Sequence, residues 1–198
     1  MSQLSFFSAE LIEPSVDDLG GLLAAHAQVV SGGGASRISV VLDAPWRVTA
    51  VAELIASSGF TPEVGRSDEG RPLVRTAATP ELSRLSLAWS RGAVKAVPLG
   101  WTPDGRALRA WALASGRADE VGFLLGLDPH AVDTHLPLAA ALSRAGLAAT
   151  LLGPRAGGPA LRITGRRRLL RLAETVGQAP DGAVAARCWP TVDGVRSG

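Results

Sequence analysis

The chain carries one pattern twice. Setting Gly59 on Gly146, an offset of 87 residues, and reading on without gaps brings Gly70 onto Gly157, Pro72 onto Pro159 and Arg75 onto Arg162. Leu82, Arg84 and Leu85 then meet Leu169, Arg171 and Leu172. Apolar positions agree in kind: Ile55 with Leu142, Val64 with Leu151, Val74 with Leu161. Upstream, Leu19–Ala27 (LGGLLAAHA) matches Leu108–Gly116 (LRAWALASG) at an offset of 89, so the strands between differ by a small indel. The period exceeds that of the common solenoid repeats and predicts two half-domains around one core.

A chain of 198 residues with 46% hydrophobic side chains suits that arrangement. No apolar run approaches the ~18 residues that span a bilayer. The N-terminus shows no basic start followed by an apolar stretch, so no signal peptide is expected. Cys188 is the single cysteine, which excludes an internal disulfide and a cysteine-rich metal site. A cytoplasmic protein is expected.

Periodicity predicts the elements of each half. Ser15 or Asp17 caps a helix over residues 18–28. Val29–Ser31 and Arg37–Leu42 are strands around Gly32–Gly34, a hairpin turn rather than a nucleotide cradle. A helix runs from Pro45 to Ser58 and Gly59 ends it. Strands near 61–66 and 73–76 follow, then a helix over 80–89. The second half repeats the order with helices over 105–115, 136–145 and 166–176, strand material at 121–127, and strands near 149–153 and 160–164. The expected fold is α+β: two pseudo-symmetric αββαββα repeats in one saddle-shaped domain. A lead-in over 1–16, repeat 1 over 17–92, a linker over 93–104, repeat 2 over 105–177 and a flexible tail over 178–198 complete the division.

Charge is unevenly placed. Residues 1–100 hold 8 basic and 10 acidic side chains; residues 101–198 hold 12 and 8. No acid lies between Asp133 and Glu174, a window containing Arg144, Arg155, Arg162, Arg166, Arg167, Arg168 and Arg171. A GC-rich genome accounts for arginine over lysine but not for missing acids. Such a block suits an anion-binding face.

The two helix segments resemble LAGLIDADG, the motif of a family of homing endonucleases. Both keep its apolar frame and small residues; Gly20, Gly21, Ala24 and Ala25 would face Ala112, Ser115 and Gly116 at a close helix crossing. WhiA-type bacterial regulators carry a similar acid-depleted domain followed by a helix-turn-helix; none is expected in the residues past Gly177, so sequence-specific operator reading is not expected. The resemblance implies a saddle of two sheets laid on DNA, as a monomer with internal pseudo-twofold symmetry. It also implies a divalent metal held by one acid from the end of each motif helix. Here His26 and Ser115 stand at those places, and neither supplies the carboxylate that magnesium prefers. Binding without catalysis, metal or cofactor is therefore expected, in a regulatory or nucleoid-associated role.

Strand alternation sets Arg37, Arg75 and Arg162 opposite their apolar neighbours, which makes them candidates for phosphate or base contact. Arg66 and Arg71 lie by the first hairpin turn and Arg155 by the second. Arg166, Arg167 and Arg168 begin a helix, where the dipole disfavours cations; they are either partners of an anion or an exposed cluster. Asp128, His130, Asp133 and His135 have ligand spacing, though Asp133 or Thr134 serves equally as a helix cap. Trp101 and Trp189 read as loop residues able to stack on a base or a protein partner. Two other readings stay open: a protein-interaction scaffold that kept the fold, and a nuclease relying on Asp119 and Glu120.

Overall fold

A computed structural model describes residues 8–154 and 157–191. Repeat 1 runs α1 (Gly20–Ala24), β1 (Gln28–Gly32), β2 (Ala35–Val41), α2 (Pro45–Ser57), β3 (Pro62–Arg66), β4 (Pro72–Thr76) and α3 (Ser83–Ala88). A short hairpin, β5 (Ser90–Arg91) and β6 (Val94–Lys95), leads to repeat 2. Repeat 2 comprises α4 (Gly105–Ser115), β7 (Gly116–Asp119), β8 (Gly122–Gly126), α5 (His135–Arg144), β9 (Thr150–Leu152), β10 (Ala160–Thr164) and α6 (Arg166–Val176). A last helix, α7, spans Ala183–Cys188. Among the described residues no helix is long and apolar enough to cross a membrane.

Each repeat builds one antiparallel sheet, with strand orders β1-β2-β4-β3 and β7-β8-β10-β9. The match extends to single bonds. The Leu42 N–H donates to the Pro72 carbonyl at 2.8 Å, and the Leu127 N–H donates to the Pro159 carbonyl at 2.9 Å. The helices cover one face of each sheet, and the opposite faces form the open side of the saddle. β2 shows why: Ser36, Ile38 and Val40 are buried while Ala35, Arg37, Ser39 and Val41 between them are not, the period-two alternation of a sheet covered on one face.

The two repeats meet along α1 and α4. Here Gly21 is required by space. A Cβ added to it would overlap the Ala107 carbonyl oxygen and lie 2.8 Å from Cβ of Ala110, so only a glycine admits this helix crossing. Around the crossing the core is continuous between repeats, with Trp89 and Trp111 fully buried. Trp101 packs edge-on against Trp89 with ring centroids 4.9 Å apart. It is a packing residue, not an exposed stacking platform.

The structure departs from the sequence expectations at four places. The first helix stops at Ala24 instead of running to Gln28, because Ala25 leaves the helical region at ψ −125° and the chain turns directly into β1. A 3-10 turn over Val16–Leu19 precedes it, capped by Ser15 through a reciprocal capping box with Asp18. Repeat 2 has a complete first hairpin, since β7 pairs with β8 from Gly116↔Leu125 to Asp119↔Gly122. The expected linker contains β6, which pairs with β5 at the end of repeat 1. The expected flexible tail carries α7, and its Trp189 is 3% exposed and donates through Nε1 to the Gly177 carbonyl at 2.8 Å.

Candidate functional site

The carboxyl ends of the two motif helices converge on buried cations. At the end of α1 the Lys95 ammonium donates to the carbonyls of Ala25 (3.2 Å) and Ala27 (3.0 Å) and to Oδ2 of Asp128 (3.1 Å). Gln28 donates to the same Asp128 oxygen at 2.6 Å. At the last turn of α4, Arg47 donates to the carbonyls of Ala112 (3.1 Å) and Leu113 (2.7 Å), and also to that of Gly116. Its Nε lies 2.8 Å from Oδ1 of Asp43. Cations suit this end of a helix, where unpaired carbonyls concentrate negative potential.

Burial shapes the charge states. It lowers the Lys95 ammonium below the usual lysine range, against the pull of Asp128. Burial works to raise the Asp128 carboxyl, but Lys95, the His130 N–H and Gln28 outweigh it, leaving that group below the ordinary carboxylate value. His26, at the position of the first metal-binding acid, donates through Nε2 to the Val41 carbonyl at 2.7 Å. Its burial, with Lys95 nearby, lowers it below the ordinary histidine value. Ser115, at the position of the second, donates to the carbonyls of Trp111 and Gly126 at 3.3 and 3.1 Å. Both replacements are bonded into the fold.

The open sheet faces hold the arginines expected there. Arg37 on β2 and Arg75 on β4 converge on one carboxylate: Oε2 of Glu63 lies 3.5 Å from Arg37 and 2.8 Å from Arg75. On the second sheet Arg162 lies 2.7 Å from Oδ2 of Asp119. The register also sets Arg117 on this face, because Arg117 and Arg162 both pair with Leu124 from opposite sides. Arg117 escaped the sequence reading because the strand bearing it did. The offset of 89 set it on Gln28, which starts β1, and that match is the signal that could have found it.

The other expected residues lie elsewhere. Arg66 sits opposite Pro72 in the β3–β4 register, on the Val74 side of the sheet and not the Arg75 side, and donates to the Gly70 carbonyl at 2.8 Å. Arg71 at the same turn pairs with Glu69 at 2.6 Å. Arg166, Arg167 and Arg168 are exposed at the start of α6, which packs against α4 and β10 through Leu169 and Leu172. They belong to the helix layer. Arg155 lies outside the described residues. Asp119, offered for a nuclease, is held by Arg162 and stands four residues past Ser115 along β7, roughly 13 Å at strand spacing. Asp128 points its carboxylate at Lys95 while its carbonyl accepts from His135 at 2.8 Å. Among the described residues no three His, Cys, Asp or Glu side chains are grouped to hold a metal ion.

No family model and no curated protein sequence matches the chain. Solved structures match its fold. The homing endonuclease I-WcaI bound to its DNA recognition sequence aligns with a TM-score of 0.56 at 12% identity, over 89% of this chain and 84% of that one. Full-length DUF199/WhiA from Thermatoga maritima aligns with a TM-score of 0.56 at 15% identity, over 89% of this chain. The match covers 57% of that protein, so this chain spans little more than half its length. The N-terminal LAGLIDADG domain of DUF199/WhiA aligns with a TM-score of 0.53 at 12% identity, over 89% of this chain and 92% of that one.

Proposed function

The chain has a LAGLIDADG-like fold, and from that premise we propose that it binds duplex DNA on its open sheet faces and does not cut it. The observation that carries this reading is the placement of Arg37, Arg75, Arg117 and Arg162, two on each sheet, half-exposed on the solvent side of the saddle. Guanidinium groups meet phosphates and guanine edges bidentately. The neighbouring endonuclease structure carries its DNA recognition sequence, and the saddle of this chain offers the same kind of surface. Lys95 and Arg47 support the non-catalytic part of this reading. A fixed positive charge closes the end of each motif helix, where a nuclease of this fold needs a divalent cation. Binding without chemistry suits a regulatory or nucleoid-associated role for a single chain with internal pseudo-twofold symmetry.

Fluorescence anisotropy with a labelled duplex, titrated across salt with and without magnesium, tests the proposal. The logarithmic salt slope should be roughly −3.6 if all four arginines neutralise a phosphate, at about −0.9 per phosphate. The duplex should stay intact in magnesium. Failure to bind at low salt refutes DNA binding, and magnesium-dependent cleavage refutes the non-catalytic reading.

One observation favours a second reading. Glu63 already takes both Arg37 and Arg75, and Val30 on the same face is 65% exposed. A protein-interaction scaffold would present such a surface, and it predicts a co-purifying protein together with no DNA affinity at physiological salt.

A further inference from the structure

The helix layer carries a basic cleft that no duplex seated on the open faces reaches. Arg166, Arg167, Arg168 and Arg171, with Thr164, line a cleft of about 500 Å³ beside Gly146. None of the four arginines lies within salt-bridge distance of a carboxylate among the described residues. Two guanidiniums lie against the fold. Arg168 donates to the Thr164 carbonyl at 3.1 Å. Arg171 lies so close over Gly146 that a Cβ there would sit 2.6 Å from its Nη1. Gly146 has φ +75°, a turn conformation that favours glycine.

The geometry sets this charge apart from the sheet face. Leu169, Leu172 and Val176 are the buried side of α6. At helical spacing Arg167 and Arg171 fall on the opposite ridge, about 6 Å apart. The whole of α6, roughly 10 Å across with its side chains, stands between that ridge and the core. Glu174, three residues past Arg171, is its neighbour along α6 but is not among the residues that line this cleft. Four guanidiniums spread over more than one turn, in an open cleft free of carboxylates, match a chain of phosphates better than a single small anion.

We propose that this cleft is a second phosphate-backbone site, so that one chain holds two segments of duplex DNA, one on the saddle and one on the helix layer. The proposal shares with the function above the reading of this chain as a DNA-binding protein, but its residues are different. The test is binding stoichiometry, measured by analytical ultracentrifugation with a labelled duplex of about one helical turn, roughly 10 base pairs. The intact chain should bind two duplexes. Arg166→Gln with Arg167→Gln changes exposed side chains only, so the thermal midpoint should hold while the stoichiometry falls to one. Arg75→Gln with Arg162→Gln should remove the other duplex.

A stoichiometry of two in the Arg166→Gln/Arg167→Gln variant overturns the proposal, as does a stoichiometry of one that this variant leaves unchanged. A stoichiometry of one that it abolishes, while Arg75→Gln/Arg162→Gln leaves it intact, supports the helix-layer site and refutes the sheet-face reading. No binding at all refutes both.

Discussion

Asp43 and Asp128 are counterparts across the pseudo-twofold axis. Each follows the second strand of its repeat by two residues, and each holds a buried cation against the motif helix of the other repeat. Asp43 of repeat 1 meets Arg47, which caps α4; Asp128 of repeat 2 meets Lys95, which caps α1. The two contacts clamp the repeats together through charge at the mouth of the saddle.

Breaking one clamp should be costly. Lys95→Met removes the donors to Ala25 and Ala27 and leaves Asp128, whose side chain is 2% exposed, without its cation. An unpaired buried charge costs about 3–5 kcal/mol. Lys95→Met with Asp128→Asn should recover much of that loss. Urea unfolding of the two variants checks the expectation, and equal stabilities would show that Asp128 needs no counter-charge.

Gly21→Ala should destabilise by about 1–3 kcal/mol or more through overpacking at the helix crossing, because the new methyl meets backbone. Gly20→Ala should cost far less. Its methyl would lie 3.3 Å from the Trp89 ring, and the gain in helix propensity, roughly 1 kcal/mol, offsets the crowding. Thermal unfolding separates the two.

Stability should fall as the pH drops below about 6.5. The folded His26 titrates below the ordinary value of 6.5, so the unfolded chain takes up its proton first as the pH drops. Native stability is lost across the window below 6.5 and levels off beneath the folded pKa. Asp128 has the carboxylate form of the same logic: the stability it contributes is present above its ordinary value of 3.8 and is lost as the pH falls through its lower folded value. His26→Gln keeps a donor for the Val41 carbonyl and should flatten the upper window only. Urea midpoints from pH 7.5 to about 2 read both.

Glu63→Gln should strengthen DNA binding. It releases Arg37 and Arg75 together, and the loss of one interfacial negative charge is worth on the order of 1 kcal/mol, about fivefold in affinity at low salt. A scaffold without DNA affinity would show no such gain. Arg75→Gln with Arg162→Gln should act in the opposite sense and flatten the salt slope by about half. Anisotropy across salt measures both variants.

The repeat order and the open face were legible in the chain because they depend on local period. Arg37, Arg75 and Arg162 alternate with apolar neighbours, and alternation alone assigns a face. The capture of Arg37 and Arg75 by Glu63 was not legible, since it joins three strands and depends on register. β7 was hidden because Gly116, Arg117, Ala118 and Asp119 show no apolar alternation and its turn, Glu120-Val121, lacks the usual glycine or asparagine. Nothing in the local sequence marks out Arg47, in the first turn of α2. Its role depends on α4, 65 residues away at Ala112. The separation of Arg166–Arg168 from the sheet face likewise appears only once α6 folds back over the core.

The two cations come from different kinds of place. Arg47 belongs to repeat 1 itself, four residues past Asp43; the matching step past Asp128 reaches Val132, and the charge is supplied instead by Lys95 from the hairpin that joins the halves. The joint has thus become a working part of what it joined. A detached second half paired with its own copy would bring two aspartates and no cation to its helix ends, so the duplication has passed the point at which its products could separate again.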